Sequence, residues 1–338
     1  MRASLITGLA GHALTQDEAR FLSSARPCGL ILFARNCDTP DQIRALVDAA
    51  KSAIGSDEVL VLIDQEGGRV RRLKPPHWRA LPAAAAYARM AARDAEGARR
   101  AAWLSARLTA ADLLESGINT NCAPVLDLPV PGSHEIIGNR AYGVTPEAVI
   151  GLARAVAEGY LAGGVLPVMK HIPGHGRAKA DSHLELPVVS TPRAELEATD
   201  FAPFRALRHL PAAMSAHVVY SDIDPEEPAS ISPIVTKEII RGYIGFDGLL
   251  MSDDLNMQAL SGSMADRARA VISAGSDVVL HCSGNLAQMD EAAAAVPSLA
   301  GQPLARFARC IGMLERRDPF SVAEAEAALA AAAAAESV

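Results

Sequence analysis

The segment from Lys170 to Pro187 concentrates side chains that can bind or exchange protons. Its eighteen residues hold three histidines, three cationic side chains, one aspartate and one glutamate. Its prolines and glycines prevent a regular helix, and an apolar run, residues 165–169, precedes it. A polar loop that follows a buried strand is typical of an active site in α/β proteins. The alternative is a solvated surface loop that happens to be rich in histidine.

The spacing within this segment allows two kinds of chemistry. His183 follows Asp181 by two residues, so the carboxylate can orient the imidazole and stabilise its protonated form. An unperturbed imidazole has a pKa of about 6.5 and exchanges protons near neutrality. A metal site using His171 and His175 is the rival interpretation. Residues four apart share a face only in a helix, which the intervening proline and glycine interrupt. The pattern therefore favours acid–base chemistry, with a metal-dependent hydrolase as an alternative.

Ionisable side chains follow other apolar runs in the same way. They are Arg35, Asp64, Asp127, His217, Asp253 with Asp254, and His281. In a barrel these positions would converge on one mouth. A carboxylate such as Asp253 can attack an anomeric carbon or stabilise an oxocarbenium ion. Asp64 can accept hydrogen bonds from hydroxyls, and Arg140, Lys170 and His171 can donate to others. The set predicts a site for a sugar ring.

Eight apolar runs alternate with helical patterns along the chain. They span 4–10, 29–34, 59–63, 118–125, 165–169, 212–220, 248–252 and 277–281. Such runs are typical of parallel strands buried on both faces. We predict an α/β fold, a single-domain (β/α)8 TIM barrel over residues 1–320, followed by an Ala-rich helical tail over 321–338. The alternative is an open doubly wound sheet, but no Gly-x-Gly-x-x-Gly or Walker loop supports its nucleotide-binding version.

Composition restricts the partners and the compartment. The formal net charge of −7 disfavours nucleic acid and anionic membranes as partners. The five cysteines form no CxxC pair, so we expect reduced, structural thiols and a cytoplasmic location. No apolar stretch is long enough to span a membrane. We expect a monomer that binds a small molecule and needs no cofactor or metal.

Four motifs, taken together, resemble glycoside hydrolase family 3. They are Asp-Gln-Glu-Gly-Gly-Arg-Val from Asp64, Ile-Gly-Asn-Arg ending at Arg140, Lys-His-Ile-Pro-Gly-His-Gly from Lys170 followed by Asp181-Ser182-His183, and Ser-Asp-Asp-Leu-Asn-Met from Ser252. The resemblance covers about Leu5 to Arg316, and Asp-x-His is specific to the N-acetylglucosaminidase branch. Two departures stand out: Ile172 replaces a common aromatic residue, and Asn139 replaces an aspartate, which is expected to alter the hydrogen bond that orients Arg140.

The resemblance implies a role for each motif residue. Asp253 would be the nucleophile of a retaining mechanism, and His183, paired with Asp181, would act as acid and then as base. The N-acetylglucosamine (GlcNAc) ring would be bound by Asp64, Arg72, Arg140, Lys170 and His171. The substrate would be GlcNAc-1,6-anhydro-N-acetylmuramyl peptides from peptidoglycan recycling, and the loop would close over the sugar before proton transfer.

Two other functions remain compatible with these residues. A phosphorylase could use the same site, because a neutral histidine repels phosphate less than a carboxylate does. A non-catalytic barrel could bind muropeptides without cleaving them.

Four further polar residues are expected to support the site. His175 is interpreted as a structural part of its turn. His217 is interpreted either as a residue that forms hydrogen bonds near the nucleophile or as a core histidine whose own hydrogen bonds are satisfied. Glu66 is expected to hold Arg69 or Lys170. For Asp127, contact with the sugar and a structural role are equally favoured.

Overall fold

Eight parallel strands close into a barrel in the computed structural model, which describes residues 1–336. The strands are β1 Ala3–Gly8, β2 Pro27–Leu32, β3 Leu60–Ile63, β4 Thr120–Asn121, β5 Leu166–Ile172, β6 Ala212–Ser215, β7 Leu249–Asp254 and β8 Val278–His281. Each strand pairs with the next along the chain, and β8 closes onto β1. The predicted (β/α)8 barrel is confirmed, and the open sheet is excluded.

Alternate residues of the strands pack into two different apolar clusters. Side chains such as Ile6, Leu62 and Val168 meet inside the barrel. Their neighbours Leu5 and Val61 instead face the cluster that includes the surrounding helices. Because successive strand residues point to opposite faces, a strand that is covered on both faces must be apolar throughout.

The helices of the described chain include three that begin directly after a threonine, a residue type that predicts a helix start. The helices are α1 Gln16–Ala25, α2 Pro40–Ile54, α3 Ala84–Ala91, α4 Ala95–Glu115, α5 Pro146–Ala162, α6 Arg193–Ala198, α7 Ala202–Ala206, α8 Val235–Tyr243 (a π-helix), α9 Met264–Ser273, α10 Leu286–Ala295, α11 Gly301–Met313 and α12 Val322–Glu336. Thr15, Thr39 and Thr145 each accept a backbone N–H of the first turn, which satisfies one of its unpaired donors.

At three strand ends, the difference from the sequence prediction repositions a site residue. β5 extends to Ile172, so Lys170 lies in the strand rather than in the loop. β7 extends to Asp254 and carries both aspartates. β6 ends at Ser215, and His217 lies beyond it, so its predicted place in a strand is wrong. The chain then leaves the barrel, and Val219–Tyr220 pairs with Val188–Val189.

The last helix packs on the outside of the barrel. Ala325 of α12 is buried against Leu104 and Leu108 of α4, and Glu326 pairs with Arg79 at 2.6 Å. The boundary between barrel and tail at residue 320 stays a prediction, and residues 337–338 of that tail lie outside the described residues. Over residues 1–336, no helix is both long and apolar enough to cross a membrane.

Candidate active site

A cavity that is open to solvent lies at the carboxyl ends of the barrel strands. All but one of the predicted site residues line it: Asp64, Arg72, Arg140, Lys170, His171, His183 and Asp253. The exception, Asp181, contacts His183. The motifs did not predict the apolar part of the wall, which includes Phe33, Val70 and Ile136. The available signal was their position in sequence: Phe33 directly follows β2, Val70 ends the first motif and Ile136 directly precedes the second.

One side of the cavity is a network of charged side chains. The Nζ atom of Lys170 lies 2.8 Å from Asp64 Oδ1 and 2.7 Å from Glu66 Oε1. Arg72 Nη2 donates to Asp64 Oδ2 at 3.0 Å. Arg140 donates to both oxygens of Glu66, at 2.9 and 2.8 Å, a bidentate geometry that fixes the guanidinium plane. The network therefore holds donors and acceptors in place before a ligand arrives.

Opposite charges keep this network ionised. Burial raises the pKa of Asp64, but Lys170 and Arg72 outweigh burial and hold that pKa well below its usual value. Burial also raises the pKa of Glu66, and Lys170 and Arg140 lower it below the ordinary value. Burial lowers the pKa of Lys170, but the two carboxylates raise it above the usual range. At neutral pH the network is fully charged and suited to sugar hydroxyls.

Asp127 organises the segment that leaves β5. Its Oδ2 lies 2.7 Å from His171 Nδ1, and its Oδ1 accepts the backbone N–H groups of His171 at 3.2 Å and His175 at 2.7 Å. Asp127 is fully buried, and although burial raises its pKa, His171 and His175 hold the pKa below the usual value. The structure therefore assigns Asp127 to loop structure rather than to contact with the sugar.

Asp253 and Asp254 occupy different electrostatic environments. Burial raises the pKa of Asp253, but the imidazoles of His171 and His217 and the backbone N–H of Asp254, 2.8 Å from Oδ1, bring it below the usual value. Burial raises the pKa of Asp254 to about 6. Its Oδ1 accepts the backbone N–H of Cys282 at 3.0 Å. Both carboxylates line the cavity, and Asp253 is the one whose ionised form its surroundings favour.

His217 supports this strand end from behind. Its Nε2 lies 3.1 Å from the carbonyl oxygen of Asp254, and its Nδ1 lies 2.6 Å from Ser230 Oγ. Burial lowers the pKa of His217, so the neutral ring donates from Nε2 and accepts from the serine hydroxyl. The structure is compatible with both expected roles, because His217 is a fully buried histidine with both ring nitrogens hydrogen-bonded and it also supports the strand that carries Asp253.

His183 and Asp181 form a hydrogen-bonded pair at the cavity wall. Asp181 Oδ1 accepts the backbone N–H of His183 at 2.9 Å and lies 2.7 Å from its ring Nδ1. Burial raises the pKa of Asp181, but these two hydrogen bonds lower it below the usual value. The ionised carboxylate therefore places the proton on Nδ1 and leaves Nε2 for exchange. The imidazole is 61% exposed, and its expected closure over a sugar stays a prediction.

Glu66 takes one of its two expected partners, and Arg140 is oriented by groups other than Asn139. Glu66 holds Lys170 as expected but does not hold Arg69, which donates to Asn139 Oδ1 at 3.2 Å. Arg140 is oriented by Glu66 and by the carbonyl of Ile136, 3.0 Å from Nη1. The asparagine at position 139 therefore does not deprive Arg140 of hydrogen-bond partners, because Glu66, 74 positions earlier in the chain, supplies them. In the described part of the chain, no group of three or more His, Cys, Asp or Glu side chains is arranged to hold a metal ion.

Comparison with known proteins agrees with this geometry. Residues 5–308 match the model of the Glycosyl hydrolase family 3 N terminal domain. A β-hexosaminidase of Alkalilimnicola ehrlichii is 43% identical over 82% of this chain and 80% of its own length. A β-hexosaminidase of Neisseria gonorrhoeae is 40% identical over 83% of this chain and 78% of its own. The structure of NagZ from N. gonorrhoeae in complex with N-trifluoroacetyl-D-glucosamine superposes with a TM-score of 0.87, at 34% identity and 98% coverage of both chains.

Proposed function

The chain belongs to glycosyl hydrolase family 3 and is a β-hexosaminidase, and from that premise we propose that it is a retaining exo-β-N-acetylglucosaminidase. It removes the non-reducing terminal GlcNAc from a β-linked substrate. The observation that carries this proposal is that Asp253 and His183 line one cavity. Asp253 is ionised, and the Nε2 atom of His183 is available for proton exchange. This pair supplies a nucleophile and a proton donor, the two groups that a retaining mechanism needs.

The first step forms a glycosyl-enzyme. The Asp253 carboxylate attacks the anomeric carbon, and the bond between that carbon and the leaving oxygen breaks. His183 Nε2 gives its proton to the leaving oxygen, while Asp181 holds Nδ1–H and fixes the ring orientation. The ionised state of Asp253 favours attack. The Asp181 carboxylate stabilises the positively charged imidazolium of His183 before the proton is transferred.

The second step reverses the role of the histidine. Neutral His183 accepts a proton from a water molecule, whose oxygen attacks the anomeric carbon from the face that the aglycone left. The bond to Asp253 breaks, and the carboxylate is regenerated. Two displacements at one carbon restore the original β configuration.

The sugar ring is held by the charged network. Asp64 and Lys170 form an acceptor–donor pair whose geometry is set before binding, and Arg72 and Arg140 add fixed guanidinium donors. His171, oriented by Asp127, presents its other ring nitrogen toward the remaining hydroxyls. Such preorganised groups lose little entropy when the ligand binds.

The natural substrate in this proposal is GlcNAc-1,6-anhydro-N-acetylmuramyl peptide, cleaved in the cytoplasm during peptidoglycan recycling. The Asp-x-His motif at Asp181 to His183, which is specific to the N-acetylglucosaminidase branch, supports this choice of substrate. The five free cysteines support a reducing compartment.

Turnover of aryl β-N-acetylglucosaminides tests the assignment of roles. We expect Asp253→Asn to abolish turnover. We expect His183→Ala to lower kcat/KM by about a hundredfold or more for poor leaving groups and far less for good ones, because good leaving groups need no protonation. Folded variants that keep wild-type rates would refute the roles.

Product analysis distinguishes the remaining alternatives. The first sugar product should be the β anomer, and an α anomer would exclude retention. Phosphate should leave the rate and the product unchanged, whereas formation of GlcNAc 1-phosphate would identify a phosphorylase.

A further inference from the structure

Ser182 lies between Asp181 and His183, the proposed acid–base pair, in the chain. Hydrogen bonds hold both its side chain and its main chain. Its Oγ lies 3.0 Å from His175 Nε2, and its carbonyl accepts the backbone N–H of Ala259 at 3.3 Å. Ser182 is only 2% exposed, although His183 beside it is largely exposed. The residue is thus a buried attachment for a pair whose imidazole is exposed and whose carboxylate is mostly covered.

The hydrogen bond from His175 connects this attachment to the barrel. The backbone N–H of His175 donates to Asp127 Oδ1 at 2.7 Å, and Asp127 also binds His171 at the end of β5. Burial lowers the pKa of His175 to about 4, so the ring is neutral. Its Nδ1 is buried without a hydrogen-bond partner among the described residues. A buried unpaired N–H is less tolerable than an unpaired acceptor, and we assign the proton to Nε2, which donates to Ser182.

The contact with Ala259 connects the same residue to the nucleophile's side of the cavity. Ala259 follows β7, the strand that carries Asp253. Ser182 is therefore joined to the end of β5 by its side chain and to the segment after β7 by its carbonyl. A shift of Ser182 would move Asp181 and His183 together, because they are its direct neighbours in the chain.

We propose that Ser182, held by His175, is a positioning residue that sets the location of the acid–base pair relative to Asp253. The inference rests on the proposed function of His183. Proton transfer requires the donor within hydrogen-bond reach of the leaving oxygen. Loss of the Ser182 hydroxyl would therefore impair protonation and leave nucleophilic attack intact.

The test compares kcat/KM of Ser182→Ala over a series of aryl β-N-acetylglucosaminides of rising leaving-group pKa. We expect a loss of about tenfold for the poorest leaving groups, a fraction of the full contribution of a general acid, and almost none for the best. His175→Leu should behave in the same way. His175→Gln, which keeps an N–H donor near the Nε2 position, should recover most of the rate.

Ser116→Ala is the matched control, since Ser116 is also a buried hydroxyl bonded to a ring N–H, that of Trp78 at 3.2 Å. It should leave the leaving-group dependence unchanged. Ser182→Ala should have no further effect in a His183→Ala background if serine acts through histidine. A uniform loss for all leaving groups, or an additive loss in that background, would overturn the inference. If His183→Ala itself shows no leaving-group dependence, the proposed function fails instead.

Discussion

Lys170 is the cation shared by two carboxylates at the centre of the charged network. Its side chain is 3% exposed, and it contacts Asp64 and Glu66 at once. Removing one partner from a buried ion pair leaves uncompensated charge, which is more harmful than the absence of the whole pair. The residue therefore supports stability as well as the geometry of the cavity.

We expect Lys170→Met to lower the free energy of unfolding at pH 7 by about 3 kcal/mol. Because the folded-state pKa of Asp64 lies below its unfolded value, the ionised carboxylate stabilises the protein above the unfolded pKa, and this contribution disappears as the pH falls through the folded value. The difference between wild type and variant should shrink as the pH falls below about 4. Urea unfolding at several pH values measures it.

Lys179→Met is the matched control, because this lysine belongs to the same loop but is exposed. Its effect should stay within about 0.5 kcal/mol at every pH. A Lys170→Met protein as stable as wild type at pH 7 would show that the network does not stabilise the fold.

At the scale of the element, the segment after β5 depends on a close approach of two backbones. A Cβ atom at Gly176 would overlap the carbonyl oxygen of Leu128, which belongs to the segment after β4. The same two segments are joined by Asp127 and by the hydrogen bond from the backbone N–H of His134 to Ala178 O at 2.8 Å. The position of the acid–base pair thus depends on contact between two loops.

We expect Gly176→Ala to displace this loop and to lower kcat/KM by about tenfold or more for poor leaving groups, since a misplaced donor protonates slowly. Gly151→Ala is the control. Gly151 lies within α5 with no atom near its would-be Cβ, and the change should stabilise the protein by about 0.5–1 kcal/mol without altering kinetics. Equal activity of the two variants would contradict the close-contact argument. Aryl glycoside kinetics and thermal unfolding supply both measurements.

At the scale of the whole molecule, the chain combines a barrel with a helix that covers part of its outer layer. Helix α12 packs on α4, and Arg79 pairs with both Asp112 and Glu326. Among the residues whose side chains the structure describes, none that lines the candidate active-site cavity belongs to α12. The tail therefore contributes to stability separately from the chemistry.

We expect removal of residues 321–338 to lower Tm by about 2–4 °C, because Leu104 and Leu108 lose part of their apolar cover, and to leave kcat and KM unchanged. Glu326→Gln should weaken the contact with Arg79 and produce a smaller shift. Loss of activity in a truncated protein that remains folded would show that the tail belongs to the catalytic unit. Calorimetry and steady-state kinetics together measure both effects.

Local patterns were sufficient for most of the fold. The eight apolar runs and the threonine caps at residues 15, 39 and 145 depend on neighbours within a few positions, so the sequence determined the order and type of the elements. Strand ends were predicted less well. Lys170 and Asp253 stay in strands because partners in the neighbouring strand continue the pairing, and those partners are distant in sequence.

The types and spacing of the motif residues were sufficient to predict acid–base chemistry, because the hydrogen bond between Asp181 and His183 joins side chains only two positions apart. The surroundings of the other site residues depend on the tertiary structure. Asp253 and Asp254 are adjacent and identical, and they differ because a backbone N–H from Cys282 reaches only the second and burial raises its pKa to about 6. Hydrogen bonding and desolvation depend on groups that folding brings together from distant positions, and no local pattern reports them.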